Sequence, residues 1–469
     1  MIENPNTDIV QKIESNPPYR LFLFVIISLA LLMQTIDSTI VATALHAMQN
    51  DFKSSVALVG WTLTAYSFGF VLMLPLSAKL SIKFGHKKIF IISVFVFTLT
   101  SWFCGLATNI YVLIAMRVLQ AMGGAGITPA ATGIIVDYFG RTKAQYLGLF
   151  GSIFASGAMI GPIFGGVFVT YWSWEWIFYI NIPIGLIILL LAIKFIPKDN
   201  LKVKVREKMD LTGMALMGLA ILFAMGGATY LAEQQANLNI AVFIGLFLAA
   251  AISTWALFKH LGKVPFPFIN LKFIIGKNFG AVNLLNVIHS GMTIGANSLV
   301  PLYAINRYGI SELHSGTLLV ANGIASVVLS SILSVNIHKT GYRKPLYVGS
   351  LLLTCGVGLL SVSPLFGIPP YYWLMGCTLI IGASIGTMSP SARNAGLQLA
   401  PDQSANIAAI RSLGMQMGYI TSVALATTVV SMNAANSGSV HAMVYLGLAI
   451  VIFLTIPVIS KIQEVKGSW

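Results

Sequence analysis

Long apolar runs, separated by short polar segments, recur from one end of the chain to the other. Each has about 20 residues or more, enough for a helix to cross a hydrocarbon layer of about 30 Å. Backbone groups inside lipid must satisfy their own hydrogen bonds, so the runs are predicted to be helices. The pattern predicts fourteen of them, at 21–45, 56–79, 88–107, 110–135, 145–171, 176–196, 210–231, 239–259, 279–303, 314–336, 345–363, 371–392, 404–430 and 439–461.

Two basic connections, 196–210 and 258–279, divide these runs into groups of six, two and six. A similar turn follows the second run of each six: KFGHKKIF (83–90) and KTGYRKPL (339–346). Repeated bundles with a binding site between them are typical of secondary transporters. The predicted domains are a cytoplasmic tail (1–20), an N-terminal six-helix bundle (21–200), two additional linker helices (201–262) and a C-terminal six-helix bundle (263–469).

Composition and charge placement support a membrane protein. The chain is 57% hydrophobic and 9% charged, with a net charge of +14. The basic residues fall in alternate connections, and the opposite connections hold only Lys53 and Arg307. This positive-inside bias predicts that both termini are cytoplasmic, in a multi-pass protein of the cytoplasmic (inner) membrane. The positive charge therefore indicates membrane lipid as a partner, and not nucleic acid.

Several classes of function lack support in the sequence. It contains no P-loop, no metal-spaced cluster of His and Cys, and no nucleophile triad within one loop. None of its connections is long enough to form a soluble catalytic domain. We therefore expect neither an enzyme nor an ATP-driven pump, and no cofactor or metal, with the proton gradient as the energy source.

Asp37 is the one acidic residue, of 14, that is predicted to lie well inside a membrane span. A carboxylate in hydrocarbon costs about 2.5–3.5 kcal/mol on insertion scales, so an ionisable residue at this depth is usually functional. Burial disfavours the charged form of a carboxyl group. Asp37 is therefore predicted to bind and release the coupling proton. The alternative is a structural ion pair or a polar contact between helices.

Arg117 is the predicted partner of Asp37. Each residue lies about eight positions, or roughly 12 Å, from the same side of the membrane in its own run. If their helices are neighbours, Arg117 favours the charged form of Asp37. Gln120 follows on the same helix face at i+3 and would extend the network. The alternative is that Arg117 binds carbonyl groups or water with no link to Asp37.

Two glycine-containing motifs are predicted to control conformation. In the run 145–171, Gly157, Gly161 and Gly165 recur at spacing four beside Pro162 and Gly166, which predicts a tight, bendable helix contact. This helix contact either controls leak between the two bundles or is simple close packing. In the first basic turn, the residues of interest are Lys83, Gly85, Lys87 and Lys88, with Gly85 allowing a tight turn and the bases facing anionic lipid or helix ends.

Further polar and aromatic residues inside the runs are candidates for a substrate cavity: Gln34, Trp61, Tyr66, Gln120, Asn286, His289, Asn322, Arg411 and Gln416. His289 is also compatible with a hydrogen-bonded packing role. Arg411 either extends towards the cytoplasm or faces the cavity. If Arg411 faces the cavity, the pocket suits neutral, zwitterionic or weakly acidic compounds better than multiply charged cations.

Four ordered segments carry a resemblance to a known family: IDSTIVATAL (36–45), RVLQAMGGAG (117–126), GAMIGPIFGG (157–166) and WIFYINIPIG (176–185). With the basic turn at 83–88, they resemble the major facilitator superfamily, in its 14-helix drug:proton antiporter branch of the EmrB/QacA type. The resemblance implies an all-α membrane fold of 6+2+6 transmembrane helices.

The chain departs from the family pattern at three positions. Relatives often have Asn where this chain has Ala42, and Pro where it has His46. An Asp of the family's loop motif is replaced by Ile82, which removes one latch of the outward-open state. The loop at 431–440 is short, so no periplasmic adaptor is expected.

Taken together, these features predict a monomeric, proton-coupled antiporter that exports amphipathic small molecules by alternating access, as in multidrug efflux and antibiotic resistance. One alternative is a dedicated exporter of a siderophore, lipid or metabolite on the same fold. An alternative of another class is a non-transporting membrane sensor or scaffold.

Overall fold

The computed structural model describes residues 16–139, 142–197, 210–234, 238–265, 267–276, 279–397, 404–433, 436–462 and 464. Within these ranges, every element of regular structure is helical. Most of the predicted cytoplasmic tail and of the basic connection 196–210 lies outside the described residues.

The N-terminal half contains eight described helices, several of which are bounded by polar caps. The side chains of Asn16 and Ser55 accept hydrogen bonds from the backbone amides of Tyr19 and Leu58, which begins the first two helices,. The helices are α1 (Pro17–Phe52), α2 (Val56–Phe84), α3 (His86–Gly105), α4 (Ile110–Gly124), α5 (Ile127–Tyr138), α6 (Lys143–Tyr171), α7 (Trp176–Tyr179) and α8 (Asn181–Phe195).

Two linker helices, α9 (Leu211–Glu233) and α10 (Ile240–Leu261), precede the C-terminal half. That half consists of α11 (Leu271–Ile275), α12 (Phe279–Leu285), α13 (Thr293–Ser298), α14 (Val300–Tyr308), α15 (Glu312–Thr340), α16 (Arg343–Ser361), α17 (Pro370–Leu397), α18 (Ser404–Ser431) and α19 (Ser437–Thr455). A π-helical turn, Asn286–Met292, joins α12 to α13, and a 3-10 turn, Ile456–Lys461, follows α19.

The described residues include twelve helical segments that are long and apolar enough to cross a membrane. The pairs α4–α5 and α7–α8 each count as one such segment, and Ser156–Tyr171 within α6 is a shorter apolar helix. Tyr19 and Lys87 donate to carbonyl groups at the end of α8, so the start of α1, the Gly85 turn and the end of α8 lie together. We call this end of the N-terminal half the Gly85 end. The opposite end, where Gly309 precedes Glu312, is called the Glu312 end.

Each half has its own apolar core. One core is built only from residues of the N-terminal half, such as Phe90 and Ile134, and another only from the C-terminal half, such as Leu353 and Ile381. Two further clusters contain residues of both halves, including Ile40 with Tyr419 and Phe68 with Leu413. The molecule is therefore two separately packed bundles that meet along shared apolar surfaces.

The linker helix α9 lies in the seam between the halves. Met217, Ile221 and Met225 of α9 pack in one cluster with Phe68 of α2 and Leu413 of α18. The next helix, α10, packs mainly on α9. Only 6% of its most apolar stretch of 18 residues is buried inside the protein. The first linker helix therefore contacts both bundles, while the second presents nearly all of its surface outward.

Asp210 fixes the start of this linker hairpin. Its Oδ1 accepts hydrogen bonds from the backbone amide of Gly213 at 2.8 Å and from Nε2 of His260 at 2.6 Å. Its Oδ2 accepts from the backbone amide of Phe268 at 3.3 Å. Burial alone would raise the pKa of Asp210, but these hydrogen bonds outweigh it and lower the pKa below the ordinary value,. Asp210 thus joins α9, α10 and the entry to the C-terminal half.

Replacing Asp210 with alanine is expected to loosen the hairpin, since loss of a side-chain cap costs about 0.5–2 kcal/mol. Because the pKa is lowered in the folded state, the contribution is fully present above the unfolded pKa of about 3.9 and is lost as the pH falls through the lowered value. Amide exchange in the first turn of α9 near neutral pH measures the effect. The matched control is Asn239→Ala, which removes the exposed cap of α10. Equal exchange at α9 in both variants and the wild type would contradict this role.

Candidate functional site

An ion pair between Asp37 and Arg117 lies at the centre of the N-terminal half. Nη1 of Arg117, on α4, donates to Oδ2 of Asp37, on α1, at 2.7 Å. The side chains are 0% and 1% exposed for Asp37 and Arg117, respectively. The structure thus brings the two predicted coupling residues into direct contact.

Three uncharged polar side chains complete the surroundings of the carboxylate. Nε2 of Gln120 and Nδ2 of Asn181 donate to Oδ1 of Asp37 at 2.8 and 2.9 Å. Both amides also donate to the hydroxyl of Ser101, at 3.0 and 2.9 Å, and Ser101 donates to the carbonyl of Phe178. The carboxylate oxygens therefore accept hydrogen bonds from α4 and from the first residue of α8.

Arg117 has partners other than Asp37. Its Nε donates to the carbonyl of Thr62 on α2 at 3.2 Å, and its Nη1 also donates to Oε1 of Gln120 at 2.6 Å. Its guanidinium lies over the ring of Tyr66, with 4.3 Å between Cζ and the ring centroid. The thiol of Cys104 points to the same Gln120 oxygen. The arginine would therefore remain held by α2 and α4 if the carboxyl group became neutral.

This arrangement can exist in two charge states. With Asp37 ionised, the buried pair has no net charge, which limits the cost of its burial. With Asp37 protonated, the cluster becomes a cation, and the link between α1 and α4 weakens because the attraction between opposite charges is lost. Proton binding can therefore change the attraction between helices, which is what a coupling site requires.

The predicted glycine row packs on the helix that carries Asp37. A side chain at Gly157, Gly161 or Gly165 of α6 would collide with Thr35, Thr39 or Thr43 of α1, respectively. Close approach of the two backbones explains the small residues at spacing four. This row therefore lies within the N-terminal half and fixes α1 against α6.

The neighbouring residues Pro162 and Gly166 contact the other half. A Cβ atom at Gly166 would lie 3.1 Å from Cα of Leu313, and one at Gly316 would collide with the carbonyl oxygen of Pro162. At the same end, Nδ1 of His46 lies 3.1 Å from Oε1 of Glu312. The halves are thus closed against each other at the Glu312 end, with His46 taking part in the contact.

Replacing Gly316 with leucine is expected to open the Glu312 end. Overpacking of this kind costs about 1–3 kcal/mol, which shifts a two-state equilibrium by roughly 5- to 150-fold towards the form without the clash. Spectroscopic labels at Asn50 and His314, both exposed near this end, should move apart, and transport should be lost.

The control for this experiment is Gly226→Leu in α9, because nothing lies within 4 Å of a Cβ atom at that glycine. An unchanged distance between the labels in Gly316→Leu would contradict a gate at this contact.

Several of the predicted cavity residues lie away from the ion pair. Nε1 of Trp61 donates to Oγ1 of Thr229 on α9 at 2.6 Å, so this indole faces the linker. Gln34 is buried, and Oγ1 of Thr128 donates to its Oε1 across 3.5 Å. In the C-terminal half, Asn322 is buried and donates to the carbonyl of Thr378.

His289 occupies a polar network inside the C-terminal bundle. Its Nε2 lies 2.9 Å from Oγ1 of Thr455, and its Nδ1 lies 3.0 Å from Oγ of Ser350. Both ring nitrogens therefore have partners within their own half, which favours the packing interpretation. His289 lies on the π-helical turn, so the irregular backbone places its ring between α16 and α19.

Asn286 and Arg411 meet within the C-terminal bundle. Nδ2 of Asn286 donates to the backbone carbonyl of Arg411 at 2.7 Å. Arg411 is half-buried, as is Gln416 on the same helix. These residues belong to a different part of the molecule from the Asp37 cluster.

The basic turn at the Gly85 end binds mainly its own half. Nζ of Lys87 donates to the carbonyl groups of Ile193 and Ile196 at the end of α8. Lys83 and Lys88 both lie over the ring of Phe84. Gly85 has φ of 100°, a value that side chains rarely adopt, which explains glycine at this turn,.

The sequence does not single out Ser101, Asn181, Thr62 or Cys104, although each contacts the ion pair or a side-chain amide that is bonded to it. Asn181 had a signal, because it is an amide within the apolar motif 176–185. Ser101 is one of several hydroxyl residues in its run, and Thr62 contributes only a backbone carbonyl. Within the described ranges, no group of three His, Cys, Asp or Glu side chains is placed to hold a metal ion.

Comparison with known sequences assigns most of the chain to one family. Residues 27–423 match the sequence profile of the Major Facilitator Superfamily. Riboflavin transporter RibZ of Clostridioides difficile is 27% identical over 402 residues, covering 84% of this chain and 86% of that protein. Multidrug resistance protein 3 of Bacillus subtilis is 29% identical over 408 residues, covering 84% of this chain and 78% of that protein.

The fold also matches a solved structure. The crystal structure of a peptide transporter, POT, in complex with sulfate superposes with a TM-score of 0.66 over 94% of this chain and 96% of that chain. Sequence identity to it is 15%, so the similarity concerns the fold alone.

Proposed function

We propose that this chain, which belongs to the Major Facilitator Superfamily, is a proton-coupled antiporter. Membership of the family makes it a multi-pass membrane transporter rather than an enzyme. Its proposed cargo is amphipathic small molecules, which it exports by alternating access. The relatives named multidrug resistance proteins support this choice of cargo.

The observation that carries the proposal is the buried contact between Asp37 and Arg117. An acidic residue inside a membrane bundle is costly, and here it is held by a guanidinium and two amides,. Protonation would neutralise Asp37 and leave Arg117 on Thr62 and Gln120. Tyr419 of the C-terminal half packs in one apolar cluster with Ile36 and Ile40, which flank Asp37 on α1, so a movement of α1 would reach the other half.

The proposed cycle alternates two ligands. Cargo binding and protonation of Asp37 favour opposite orientations, because a ligand shifts a conformational equilibrium only through its differential affinity for the two states. Protons flowing down their gradient then return the empty protein to the cargo-binding orientation. The contacts of Gly166 and Gly316 with the opposite half, together with the His46–Glu312 pair, form the gate at the Glu312 end.

We further propose the 6+2+6 topology of the EmrB/QacA branch, with fourteen crossings and both termini in the cytoplasm. The two crossings beyond the twelve would be α6, of 29 residues, and the segment from Phe279 to Tyr308, which contains four successive helical pieces. The basic residues cluster in connections at the Gly85 end, which would then face the cytoplasm. The domain boundaries, monomeric state, absence of an adaptor and inner-membrane location remain part of this proposal.

A dedicated exporter of one metabolite is the second candidate. The relative named as a riboflavin transporter favours it, because that protein matches over most of both chains. The two candidates share the fold and the coupling site, and they differ only in the side chains that contact the cargo.

Proteoliposomes with an imposed pH gradient test the proposal. A gradient of one pH unit supplies about 1.4 kcal/mol per proton, so one-for-one exchange should produce roughly tenfold accumulation of a transported dye. The panel consists of unrelated amphipathic dyes together with riboflavin. Accumulation of several dyes supports multidrug efflux, and accumulation of riboflavin alone supports the dedicated exporter. Failure of every compound to accumulate, with the gradient intact, would contradict both.

A further inference from the structure

The contact between His46 of α1 and Glu312 of α15 joins the two halves through groups that can change charge. Nδ1 of His46 lies 3.1 Å from Oε1 of Glu312, and the two side chains are 27% and 30% exposed. The pair between Asp37 and Arg117, by contrast, is fully buried within one half. Protons from water at the Glu312 end can therefore reach His46 without entering the bundle.

Other charged groups and histidines at the same end have different surroundings. They include Asp51, Lys53, Glu175, Arg307, His314 and His441. Asp51 accepts a hydrogen bond from Trp174, and Arg307 donates to groups of its own half. Nδ1 of His314 lies 2.8 Å from the hydroxyl of Ser311 on the same side of the contact. These three are held by partners within their own halves, whereas the ion pair crosses the gate.

The surroundings of His46 suit both of its charge states. A neutral imidazole can donate through Nδ1–H to Glu312, and its Nε2 then presents a lone pair towards Nδ2 of Asn50, 3.4 Å away. A proton from water can bind to Nε2 and make His46 a cation while Nδ1–H continues to donate. The Asn50 side chain can then turn its amide oxygen towards Nε2–H. Protonation thus adds the attraction of opposite charges to an existing hydrogen bond.

This gate contact and the buried ion pair share one continuous helix. Asp37 and His46 both lie on α1 and are about 14 Å apart along its axis,. Protonation of Asp37 weakens the attraction of α1 for α4, within the same half. Protonation of His46 strengthens the attraction of α1 for α15, in the other half. The two protonation events therefore both favour α1 staying against the C-terminal half at the Glu312 end.

We propose that His46 and Glu312 form a proton-dependent latch, which acidity at the Glu312 end closes and alkalinity releases. Histidine is suited to this role because its charge ordinarily changes between about pH 5 and 8. The physiological direction of the effect rests on the proposed function, in which this end faces the outside. External acidity would then promote closure of the empty protein after it has released its cargo.

Distances between spin labels across the Glu312 end test the latch. One label replaces Tyr171, which is exposed at the end of α6 beyond Gly166. The other replaces Phe366, which is exposed in the turn that Arg307 contacts after α16. Cys355→Ser removes an exposed native thiol. The purified protein in phosphatidylcholine nanodiscs is measured from about pH 8 to about pH 5.5, where histidines titrate and ordinary carboxyl groups stay ionised.

Acidification should shorten the distance in the wild type. Its ratio of closed to open protein should rise about two- to fivefold more than that of His46→Gln, which is the range expected for a partly exposed ion pair. Glu312→Gln should lose the same part of the response, and the double variant should lose no more than either single variant. His314→Gln, which removes another histidine at this end, is the control and should respond as the wild type does.

Four outcomes would overturn the latch. They are an equal pH response in the wild type and His46→Gln, a loss in His46→Gln without a loss in Glu312→Gln, an equal loss in His314→Gln, and opening of the wild type on acidification. The response that depends on His46 should persist in Asp37→Asn, because the latch has its own titrating group. Its disappearance there would assign the effect to Asp37 and also contradict the proposal.

Accumulation of dye in proteoliposomes separates this proposal from the antiporter. Uphill transport by a wild type that shows no response dependent on His46 would refute the latch and keep the antiporter. A response dependent on His46 in a protein that never accumulates dye would support the latch and refute the antiporter.

Discussion

Asp37→Asn is expected to abolish uphill transport while leaving a folded protein. In proteoliposomes with a gradient of one pH unit, the wild type should accumulate its dye roughly tenfold per exchanged proton, and the variant should reach a ratio of about one. Asparagine cannot bind and release a proton, so proton flow is no longer coupled to transport of the dye. Downhill exchange of dye is expected to survive, because the cargo contacts are unchanged.

The geometry explains why this substitution should be tolerated. Asparagine has nearly the shape of a protonated aspartate, which is itself a proposed intermediate of the cycle. Arg117 would lose its counterion but keep the Thr62 carbonyl, the Gln120 amide oxygen and the Tyr66 ring. The variant should therefore resemble the proton-loaded form and favour the orientation of that form.

Asp51→Asn is the matched control, because Asp51 lies at the exposed end of the same helix and accepts a hydrogen bond from Trp174. It should retain the accumulation ratio of the wild type. Full gradient-driven accumulation by Asp37→Asn would remove Asp37 from the coupling mechanism.

Arg117→Met is expected to damage both stability and coupling. Removing one partner of a buried ion pair typically costs about 3–5 kcal/mol, because the remaining charge is left without compensation. Asp37 must then either stay charged inside the bundle or hold its proton throughout the cycle, and neither state supports exchange. The variant should melt at a lower temperature than the wild type and show no uphill transport.

A double-mutant cycle separates this effect from simple loss of packing. The combination Asp37→Asn with Arg117→Met contains no buried charge, so it should be more stable than Arg117→Met alone. Arg117→Lys keeps the charge, but lysine lacks the planar donor arrangement that serves Asp37, Gln120 and the Thr62 carbonyl together. It should therefore fall between the wild type and Arg117→Met.

Additive losses in the double variant would show that Asp37 and Arg117 act independently. Such a result would favour the alternative in which Arg117 binds carbonyl groups with no functional link to Asp37.

The helical class of the fold was predictable because lipid restricts the chain so strongly. Long apolar runs admit only helices, and caps such as Asn16 and Ser55 lie just outside the helices that they begin,. The prediction of a superfamily transporter is confirmed by the family match and the all-helical fold. The coupling role of Asp37 stays a prediction, although the depth argument correctly placed it near Arg117.

Contacts between distant helices were harder to predict. The sequence shows that Trp61 and His289 are polar or aromatic residues in apolar runs, but not which neighbour they face. In the structure, Trp61 bonds to a linker helix and His289 bonds to Thr455. Both outcomes depend on how the helices are arranged around one another, and the sequence pattern of a single helix does not specify its neighbours.

The glycine motif illustrates the same limit. Spacing four predicts a close helix contact, but it does not name the partner. The row from Gly157 to Gly165 packs on α1, whereas Gly166 lies one position round the helix and contacts Leu313 of the other half. Close packing therefore describes the row from Gly157 to Gly165, and control of leak between the bundles stays a prediction for the Gly166 contact.

Proton release on cargo binding tests the central claim most directly. Purified protein in a weakly buffered solution is mixed with a transported dye, and a pH indicator reports the protons released. Competition between cargo and proton requires reciprocal displacement, so the wild type should release up to about one proton per bound molecule. Asp37→Asn should bind the dye and release none. Equal proton release from both proteins would contradict the claim that Asp37 carries the coupling proton.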